Sequence, residues 1–471
     1  MPAKRKRSEL SQLAAELAKR KTNNKTAPGT WPLRKCPSVV DNFSRLSDDI
    51  IVCHILSRLS LREAVTTSVL SRRWRNLWTE SIGSKLIFSY PATHDYDSRL
   101  RLRQPILEKG ISRILEVVKP TFDELTIRFS FNSTTGSSYQ AVDRWVQIAL
   151  ENKVTRLHLD FSSLTSPKIY TFPAIHKISA INEIHNLRDV CLKSINVSGE
   201  VIDWMLSNCP SLERLAVWES RFLHKIRVCT ESSKLKSLEF VDCYYQRIQI
   251  SSPNLICLRY SSGFEECLQL DYVPLLSQLY IGSLYSRSFL RNGARLFINY
   301  ISQLKRLKLD INSYTAKFSV DYLLEFPKLI KLEQLEVKVV PDRWSSHPYL
   351  WLIMLIKAAP SLQKFSIELN RVEVYPDEDY YHENLLNIIR EVRHPSLKFI
   401  EMLKFSGGYS EMELGQHLLS ISPLLEQLVV SGFYRTSKKT PRALYDSVEE
   451  NRMQAQKFNK WLPPTAKLVI L

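Results

Sequence analysis

One short unit recurs through the C-terminal two-thirds of the chain and constrains its fold more than any other feature. The unit is a leucine, two other residues, a second apolar residue and usually a third two positions later, as in SLERLAV and QLKRLKL. Its ten leading leucines are Leu187, Leu212, Leu235, Leu255, Leu276, Leu304, Leu332, Leu362, Leu397 and Leu425. Since alternate positions of a strand face one side, we expect one short strand per unit and a leucine core that all units share.

The spacing of these leucines, 20 to 35 residues, is typical of irregular leucine-rich repeats. One repeat cannot bury its own apolar face, so we expect a curved solenoid with strands on the concave side and helices or arches outside. The units that begin at Leu235 and Leu255 are too short for a long helix, and extended or turn-like return arms are predicted there. Helical patterns occur in longer units, at residues 201–206, 349–357, 385–389 and 414–419.

A short helical stretch precedes the repeats, at residues 45–78. Ser47, Ser60 and Ser71 are candidate N-caps of three helices. Apolar residues follow these serines at helical spacing, and the clearest are Ile51, Ile55, Leu56, Leu59, Trp74, Leu77 and Trp78. Three short helices form a very small core, so this stretch must pack on a neighbouring domain or offer an apolar face to a partner.

This stretch resembles the F-box of plant proteins, in Leu46-Ser47-Asp48 and in the run from Thr67 to Trp74, TSVLSRRW. The family usually has proline at Ser47, and both residues suit a helix start. The resemblance implies that the helices bind a Skp-family adaptor and, through it, a cullin ubiquitin ligase. The residues expected to form the docking face or to support it are Leu46, Ile50, Ile51, Ile55, Leu56, Leu59, Leu70, Trp74 and Trp78. The alternative is an ordinary helical hairpin in a larger core.

The end of the chain, residues 394–430, resembles the FBD segment that follows plant F-box and leucine-rich repeats. The matching elements are Leu397-Lys398, Gly407-Gly408, Glu411, Glu413 and Leu424-Leu425-Glu426. A helix at 448–461 and a final strand within 462–471 are predicted to follow. The same residues also suit the last two repeats and a cap, which any solenoid needs, so we expect an FBD-like sequence that acts as a cap.

The patterns together predict an α/β chain of four parts. Residues 1–40 are a disordered basic tail and linker, residues 41–86 the three-helix F-box, residues 87–393 the irregular repeats, and residues 394–471 the FBD-like segment and cap. Between the F-box and the first leading leucine, helices are predicted at 104–118 and 141–150. Strands are predicted at 125–129 and 157–159.

Almost half of the net charge of +17 lies at the N-terminus, where residues 1–40 hold ten Lys and Arg against two Glu. Two basic clusters are predicted to act as a nuclear localisation signal, and their residues are Lys4, Arg5, Lys6, Arg7, Lys19, Arg20 and Lys21. A nucleic-acid-binding arm would have the same composition. The predicted location is the nucleus, with the cytoplasm also open.

Nothing in the sequence indicates an enzyme, a cofactor or a metal site. The chain lacks the HExxH, GxSxG and P-loop motifs, and its eight cysteines form no CxxC pair. Cys209 is a weak candidate nucleophile, and Asp160 and Asp310 are predicted to occupy turns at strand ends. With no signal peptide and no apolar run of about 20 residues, we expect an intracellular protein without a membrane span.

The sequence therefore favours a substrate-recruiting subunit of a Skp–cullin–F-box ubiquitin ligase. The F-box would bind the adaptor, the repeats would bind an unknown protein target, and the subunit would act by raising effective concentration rather than by chemistry. The main alternative is a nuclear nucleic-acid-binding protein that uses the basic tail. A receptor that binds a small molecule on its repeats is a third possibility.

Overall fold

The computed structural model of the chain contains two compact units, residues 1–189 and 190–471, which are described separately. The residues it describes are 45–59, 61–81, 85–89, 98–117, 122–129, 136–162, 170–173, 185–223, 225–229, 234–244, 247–262, 268–292, 294–312, 323, 326–340, 348–370, 382–432 and 441–471.

The first unit begins with the short helices that the sequence predicts. They are α1 (Asp48–Ile50), a π-turn (Ile51–Ile55), a 3₁₀ turn (Leu56–Arg58), α2 (Leu61–Thr66), a 3₁₀ turn (Thr67–Val69) and α3 (Trp74–Ser81). The N–H of Ile50 lies 3.4 Å from Ser47 Oγ, and the N–H of Trp74 lies 3.4 Å from Ser71 Oγ. Two of the three predicted N-caps are thus confirmed, and Ser60 lies outside the described residues.

The π-turn is not expected from the sequence, which suggests a regular α-helix. In an α-helix, residues five apart are separated by about 140° around the axis. The π-turn instead carries a bond from the N–H of Leu56 to the carbonyl of Ile51, which brings both residues to one side. Both side chains are fully buried as a result. The turn therefore allows a very short helix to place two large residues in one small core.

The rest of the first unit alternates strands and helices. Its elements are β1 (Lys85–Ser89), α4 (Ser98–Val117), β2 (Glu124–Arg128), α5 (Gly136–Glu151), β3 (Arg156–Asp160) and β4 (Tyr170–Thr171). β1, β2 and β3 are parallel neighbours in that order. The predicted helices and strands before the repeats are confirmed, whereas β1 is an additional strand. Asp160 accepts the N–H of Ser162 at 3.1 Å, which confirms the predicted turn.

The second unit is a long parallel sheet in which every predicted repeat contributes one strand. The strands are β5 (Asp189–Lys193), β7 (Arg214–Trp218), β9 (Ser237–Val241), β11 (Cys257–Ser261), β13 (Gln278–Gly282), β14 (Arg306–Asn312), β15 (Gln334–Val340), β16 (Lys364–Leu369), β17 (Phe399–Phe405), β18 (Gln427–Gly432) and β19 (Lys467–Ile470). They are neighbours in this order. All ten leading leucines are buried, none more than 2% exposed, which confirms the solenoid core.

The return arms also follow the predicted dependence on repeat length. Their helices are α6 (Gly199–Asn208), α7 (Tyr285–Arg291), α8 (Trp351–Lys357), α9 (His382–Glu391), α10 (Tyr409–Ile421) and α11 (Pro441–Gln456). The remaining strands are β6 (Ile195–Asn196), β8 (Lys225–Cys229), β10 (Arg247–Ser251) and β12 (Leu268–Tyr272). The three shortest repeats, of 23, 20 and 21 residues, contribute the strands β8, β10 and β12 in place of a helix, and these strands form a second parallel sheet. The helices predicted in the four longer units are confirmed.

Contacts from neighbouring elements cover both edges of this second sheet. At β8, Gly199 of α6 lies so close that a Cβ there would come within 2.5 Å of the Lys225 carbonyl oxygen. At β12, the Tyr300 hydroxyl donates to the carbonyl of Asp271 at 3.0 Å, and the N–H of Val273 lies 3.4 Å from the same hydroxyl. Backbone groups on both edge strands are therefore covered by other parts of the chain.

One sequence prediction is wrong in this unit. Asp310 does not end a strand, since β14 continues through it to Asn312 and pairs with β15 along its whole length. Its carboxylate lies 3.2 Å from Lys338 Nζ on the adjacent strand. Apolar residues continue to alternate on both sides of the aspartate, at Leu307, Leu309 and Ile311, so the strand extends past it. The Asp310 side chain lies between them on the other side of the strand and points away from the leucine core.

The FBD-like segment closes the repeat array. The predicted final helix and strand are confirmed as α11 and β19, and β19 pairs in parallel with β18. Phe458 is fully buried, with its ring 5.7 Å from that of Phe405. Beside them, the Glu411 carboxylate accepts the N–H groups of Ser406 at 2.7 Å and Gly407 at 3.0 Å. This carboxylate holds the turn that leads from β17 into α10.

Gly407 and Gly408 provide a matched test of this turn. Gly407 has φ +77° and faces Gln454, whereas the N-cap Gly408 has φ −66°. We expect Gly407→Ser to lower the free energy of unfolding by about 1–2 kcal/mol, because a side chain is strained at positive φ. Gly408→Ser should change it by less than about 0.5 kcal/mol, because serine suits an N-cap. Urea unfolding compares the two variants, and equal losses would contradict this account.

Glu411 makes the stability of this segment depend on pH. Burial raises the pKa of Glu411, although hydrogen bonds from Ser406, Gly408 and Gly407 act in the opposite direction. A carboxyl with a raised pKa in the folded state stabilises the protein below its usual pKa of about 4.5, and this contribution is lost as pH rises through the folded value. The contribution of Glu411 to the free energy of unfolding should therefore decrease as the pH rises above about 4.5. Glu411→Gln should make the free energy of unfolding less dependent on pH, whereas the control Glu413→Gln should keep the wild-type dependence. If Glu411→Gln showed the same slope of unfolding free energy against pH as wild type, the assignment to Glu411 would be refuted.

Candidate functional site

Exposure divides the predicted adaptor-binding residues into two groups. Ile51, Leu56, Trp74 and Trp78 are buried and form the core of the short helices, together with Leu77. The other predicted residues lie nearer the surface, with Leu46, Ile55 and Leu59 partly buried, Ile50 44% exposed and Leu70 64% exposed. Val69 is 54% exposed and was not among the predicted residues, although it lies in the same F-box-like run. The exposed apolar residues Ile50, Val69 and Leu70 are called the F-box face below.

An ion pair connects the two segments that carry the F-box face. Arg73 Nη2 lies 2.6 Å from Asp48 Oδ1, and its Nε donates to the same oxygen at 2.7 Å. The same guanidinium donates to the carbonyl of Leu46. Arg73 follows Leu70 closely, and Asp48 precedes Ile50, so the pair holds both ends of the F-box face in place. This role of Arg73 was not predicted, although an acidic first turn and a basic run are both visible in the sequence.

The strand face of the second unit is a second candidate surface, formed by the strand side chains that alternate with the core residues. From β14 to β18, this face is covered by ion pairs between adjacent strands. They are Lys308–Glu336, Lys338–Asp310, Lys364–Glu401 and Lys404–Glu368, with N–O distances of 2.6 to 3.2 Å, and Lys398–Glu426, at 2.7 Å, joins the residues immediately before β17 and β18. Such exposed pairs contribute about 0–1 kcal/mol each and remain well hydrated. This half of the strand face is therefore polar and largely neutralised.

The other half, from β7 to β13, carries a cluster of aromatic and basic side chains. Glu239 lies at its centre and is almost completely buried. Its carboxylate accepts the Trp218 indole N–H at 3.1 Å and the Arg214 Nε–H at 3.0 Å. The Arg259 guanidinium lies over two rings, 5.4 Å from the centre of Trp218 and 4.7 Å from that of Tyr280. Trp218, Glu239, Arg259 and Tyr280 are called the arginine stack.

The sequence analysis did not identify the arginine stack, although a signal for it exists. Glu239, Arg259 and Tyr280 each follow the leading leucine of their repeat by four residues. In a parallel sheet with this register, the three residues lie side by side on β9, β11 and β13. Aligning the ten units on their leading leucines would therefore have placed these side chains together.

The candidate nucleophile Cys209 is poorly suited to chemistry. Its side chain is 1% exposed, and burial raises the pKa of the Cys209 thiol to about 12. The reactive species of a cysteine is the thiolate, which this environment disfavours at neutral pH. In the part of the chain that the structure describes, no group of three or more His, Cys, Asp or Glu side chains is arranged to hold a metal ion.

The predicted nuclear localisation residues, Lys4 to Arg7 and Lys19 to Lys21, lie outside the described residues. Among the described helices, none has both the length and the apolar character needed to cross a membrane.

Comparisons with known proteins match both parts of the chain. The family model for the At1g61320/AtMIF1 LRR domain matches residues 174–460, more than half of the chain, and the F-box domain model matches residues 43–82. F-box/LRR-repeat protein At2g42730 of Arabidopsis thaliana is 24% identical over 82% of this chain and 90% of its own length. F-box/FBD/LRR-repeat protein At1g13570 of Arabidopsis thaliana is 24% identical over 83% of this chain and 91% of its own length. FBD-associated F-box protein At5g60610 of Arabidopsis thaliana is 23% identical over 78% of this chain and 93% of its own length.

These matches agree with the geometry of both units. The F-box match covers the three short helices and the F-box face, and the LRR match covers the repeats whose leading leucines form the core of the second unit. The relatives named for an FBD segment also agree with the resemblance of residues 394–430. The chain belongs to the plant F-box/leucine-rich-repeat family and carries an FBD-like segment after its repeats.

Proposed function

We propose that this protein is the substrate-recruiting subunit of a Skp–cullin–F-box ubiquitin ligase. The F-box face docks on a Skp-family adaptor, which connects the subunit to a cullin. The leucine-rich repeats hold a target protein. The subunit performs no chemistry itself; it raises the effective concentration of the target near the transferred ubiquitin.

The observation that best supports this proposal is the F-box face. Ile50, Val69 and Leu70 expose about half or more of their surface, whereas the core of the short helices is formed by other residues, Ile51, Leu56, Trp74, Leu77 and Trp78. Large apolar residues at such positions stabilise a complex when a partner removes them from water, by roughly 25 cal/mol per Å². Arg73 and Asp48 fix the two segments in advance, which reduces the entropy that docking must overcome.

The paired substitution Ile50→Asp with Leu70→Asp tests this surface. We expect binding to a purified Skp-family adaptor to weaken by at least about 30-fold, because two apolar contacts are replaced by charges that docking would desolvate. Both side chains are exposed, so the F-box should stay folded. Isothermal titration calorimetry measures the affinity, and circular dichroism checks the fold.

The matched control is Ile330→Asp with Leu424→Asp, at two residues of the second unit that are 53% and 56% exposed. This pair makes the same chemical change and should leave adaptor binding within about twofold of wild type. Substitution of the buried Ile51 and Leu56 would not separate docking from folding, since both lie in the core. Adaptor binding that survives Ile50→Asp with Leu70→Asp would overturn the proposed docking face.

We also propose that the basic tail directs the protein to the nucleus. This proposal is supported by the composition of residues 1–40, with ten Lys and Arg against two Glu. A fluorescent fusion lacking residues 1–40 should lose nuclear accumulation, and so should a fusion in which Lys4, Arg5, Lys6 and Arg7 are replaced by alanine. Nuclear import that persists in the alanine variant would contradict a role for the first cluster. Filter binding to nucleic acid, measured on the same proteins, tests the alternative role of the tail.

A further inference from the structure

We propose that the arginine stack is the anchor for an acidic segment of the target protein, with Arg259 binding a carboxylate of that segment. The proposal rests on the proposed target-binding function and names the class of partner. Trp218, Tyr280 and Arg259 are the residue types that most often dominate protein interfaces. They occur together at one place on a strand face that elsewhere carries lysine–carboxylate pairs.

Arg259 is held rigidly and still has unused donors. Its guanidinium lies over the rings of Trp218 and Tyr280, and Trp218 is fixed in turn by its bond to Glu239. A guanidinium has five N–H donors. Across the described residues, the nearest carboxylate oxygen to Arg259 is Glu239 Oε2 at 3.8 Å, which is too far for a hydrogen bond. The side chain is 35% exposed, so its donors are available to a carboxylate from solution.

The charge around Arg259 favours an anionic partner. Arg214 and Arg259 both lie within 4 Å of the Glu239 carboxylate, and a third cation, Lys193, has its Nζ 5.4 Å from the centre of the Trp218 ring. The hydrogen bonds to Glu239 come from Arg214 and Trp218, so the Arg259 guanidinium keeps the capacity to bind a second anion, with Lys193 as a further positive charge beside the Trp218 ring. A planar guanidinium fixed between rings matches a carboxylate in a bidentate geometry.

A protein segment fits this surface better than nucleic acid does. Single-stranded nucleic acid needs aromatic faces on which bases stack. Here Lys193 and Arg259 lie over the Trp218 ring, and Arg259 lies over the Tyr280 ring, so cations occupy the positions that bases would take. Beyond β13 the lysines of the strand face are paired with carboxylates, so they offer little net positive charge to a continuous phosphate backbone, whereas a short acidic segment needs only the charge at the arginine stack.

The test is a selection of random 12-residue peptides on the immobilised full chain, followed by affinity measurements with labelled peptides that the selection enriches. We expect Asp and Glu to be enriched in the selected peptides.

Arg259→Gln should weaken binding of these peptides by about tenfold, as loss of a charge-assisted bidentate contact does. Arg259→Lys should also weaken binding, because lysine keeps the charge but lacks the planar fork. Lys364→Gln removes one positive charge from the same strand face and is the control, with binding within about twofold of wild type.

A second pair of variants separates the stack from simple charge attraction. Trp218→Leu and Tyr280→Leu keep Arg259 but remove the rings that orient it, and each should weaken peptide binding several-fold. Peptides without acidic enrichment, or equal binding by wild type and Arg259→Gln, would overturn the proposal. So would tighter binding of a 12-nucleotide oligothymidine than of the selected peptides. Adaptor binding by Arg259→Gln is measured in parallel and should equal that of wild type, so failure of the anchor and failure of the F-box are distinguishable.

Discussion

Burial of the leading leucines is the interaction on which the second unit depends. Each of these side chains lies in a core that neighbouring strands complete, and each is fully or almost fully removed from water. Full burial of one leucine contributes about 1.5–3 kcal/mol relative to exposure. Because a repeat gains this energy only next to another repeat, stability is a property of the array rather than of any single unit. The first and last strands therefore need additional cover, which α11 and Phe458 provide at the FBD-like end.

The strand side chains that face away from the leucine core do not pack in it, so their size and charge can vary from repeat to repeat. The chain uses this freedom in two ways along one sheet. The strands from β14 to β18 carry pairs of opposite charge that keep the surface hydrated, while those from β7 to β13 concentrate aromatic and basic groups around Glu239. The short helices at residues 48–81 show the reverse relation, because their core is formed by buried residues such as Ile51 and Trp74 while the apolar residues of the F-box face stay exposed.

The sequence predicted most of the fold because the leucine pattern is local and periodic. Each unit identifies its own strand, and the length of the unit determines whether the return arm can be a helix. The π-turn at Ile51 could not be predicted in this way, since it depends on how two residues share one small core. Asp310 was assigned wrongly because a polar residue on the outward side of a strand resembles a strand end. The arginine stack combines residues from four repeats, so it becomes visible only when the repeats are aligned in register.

The covered edges of the β8–β10–β12 sheet have a consequence for the behaviour of the chain at high concentration. An exposed edge strand offers unpaired N–H and C=O groups to any other extended chain, and this is a common route to aggregation. Replacing helices by strands in the short repeats creates two such edges on the outside of the unit. Gly199 at one edge and Tyr300 at the other block the approach of a foreign strand. A shortened repeat that replaces a helix by a strand therefore adds strand edges that nearby residues have to cover, which links repeat length to solubility.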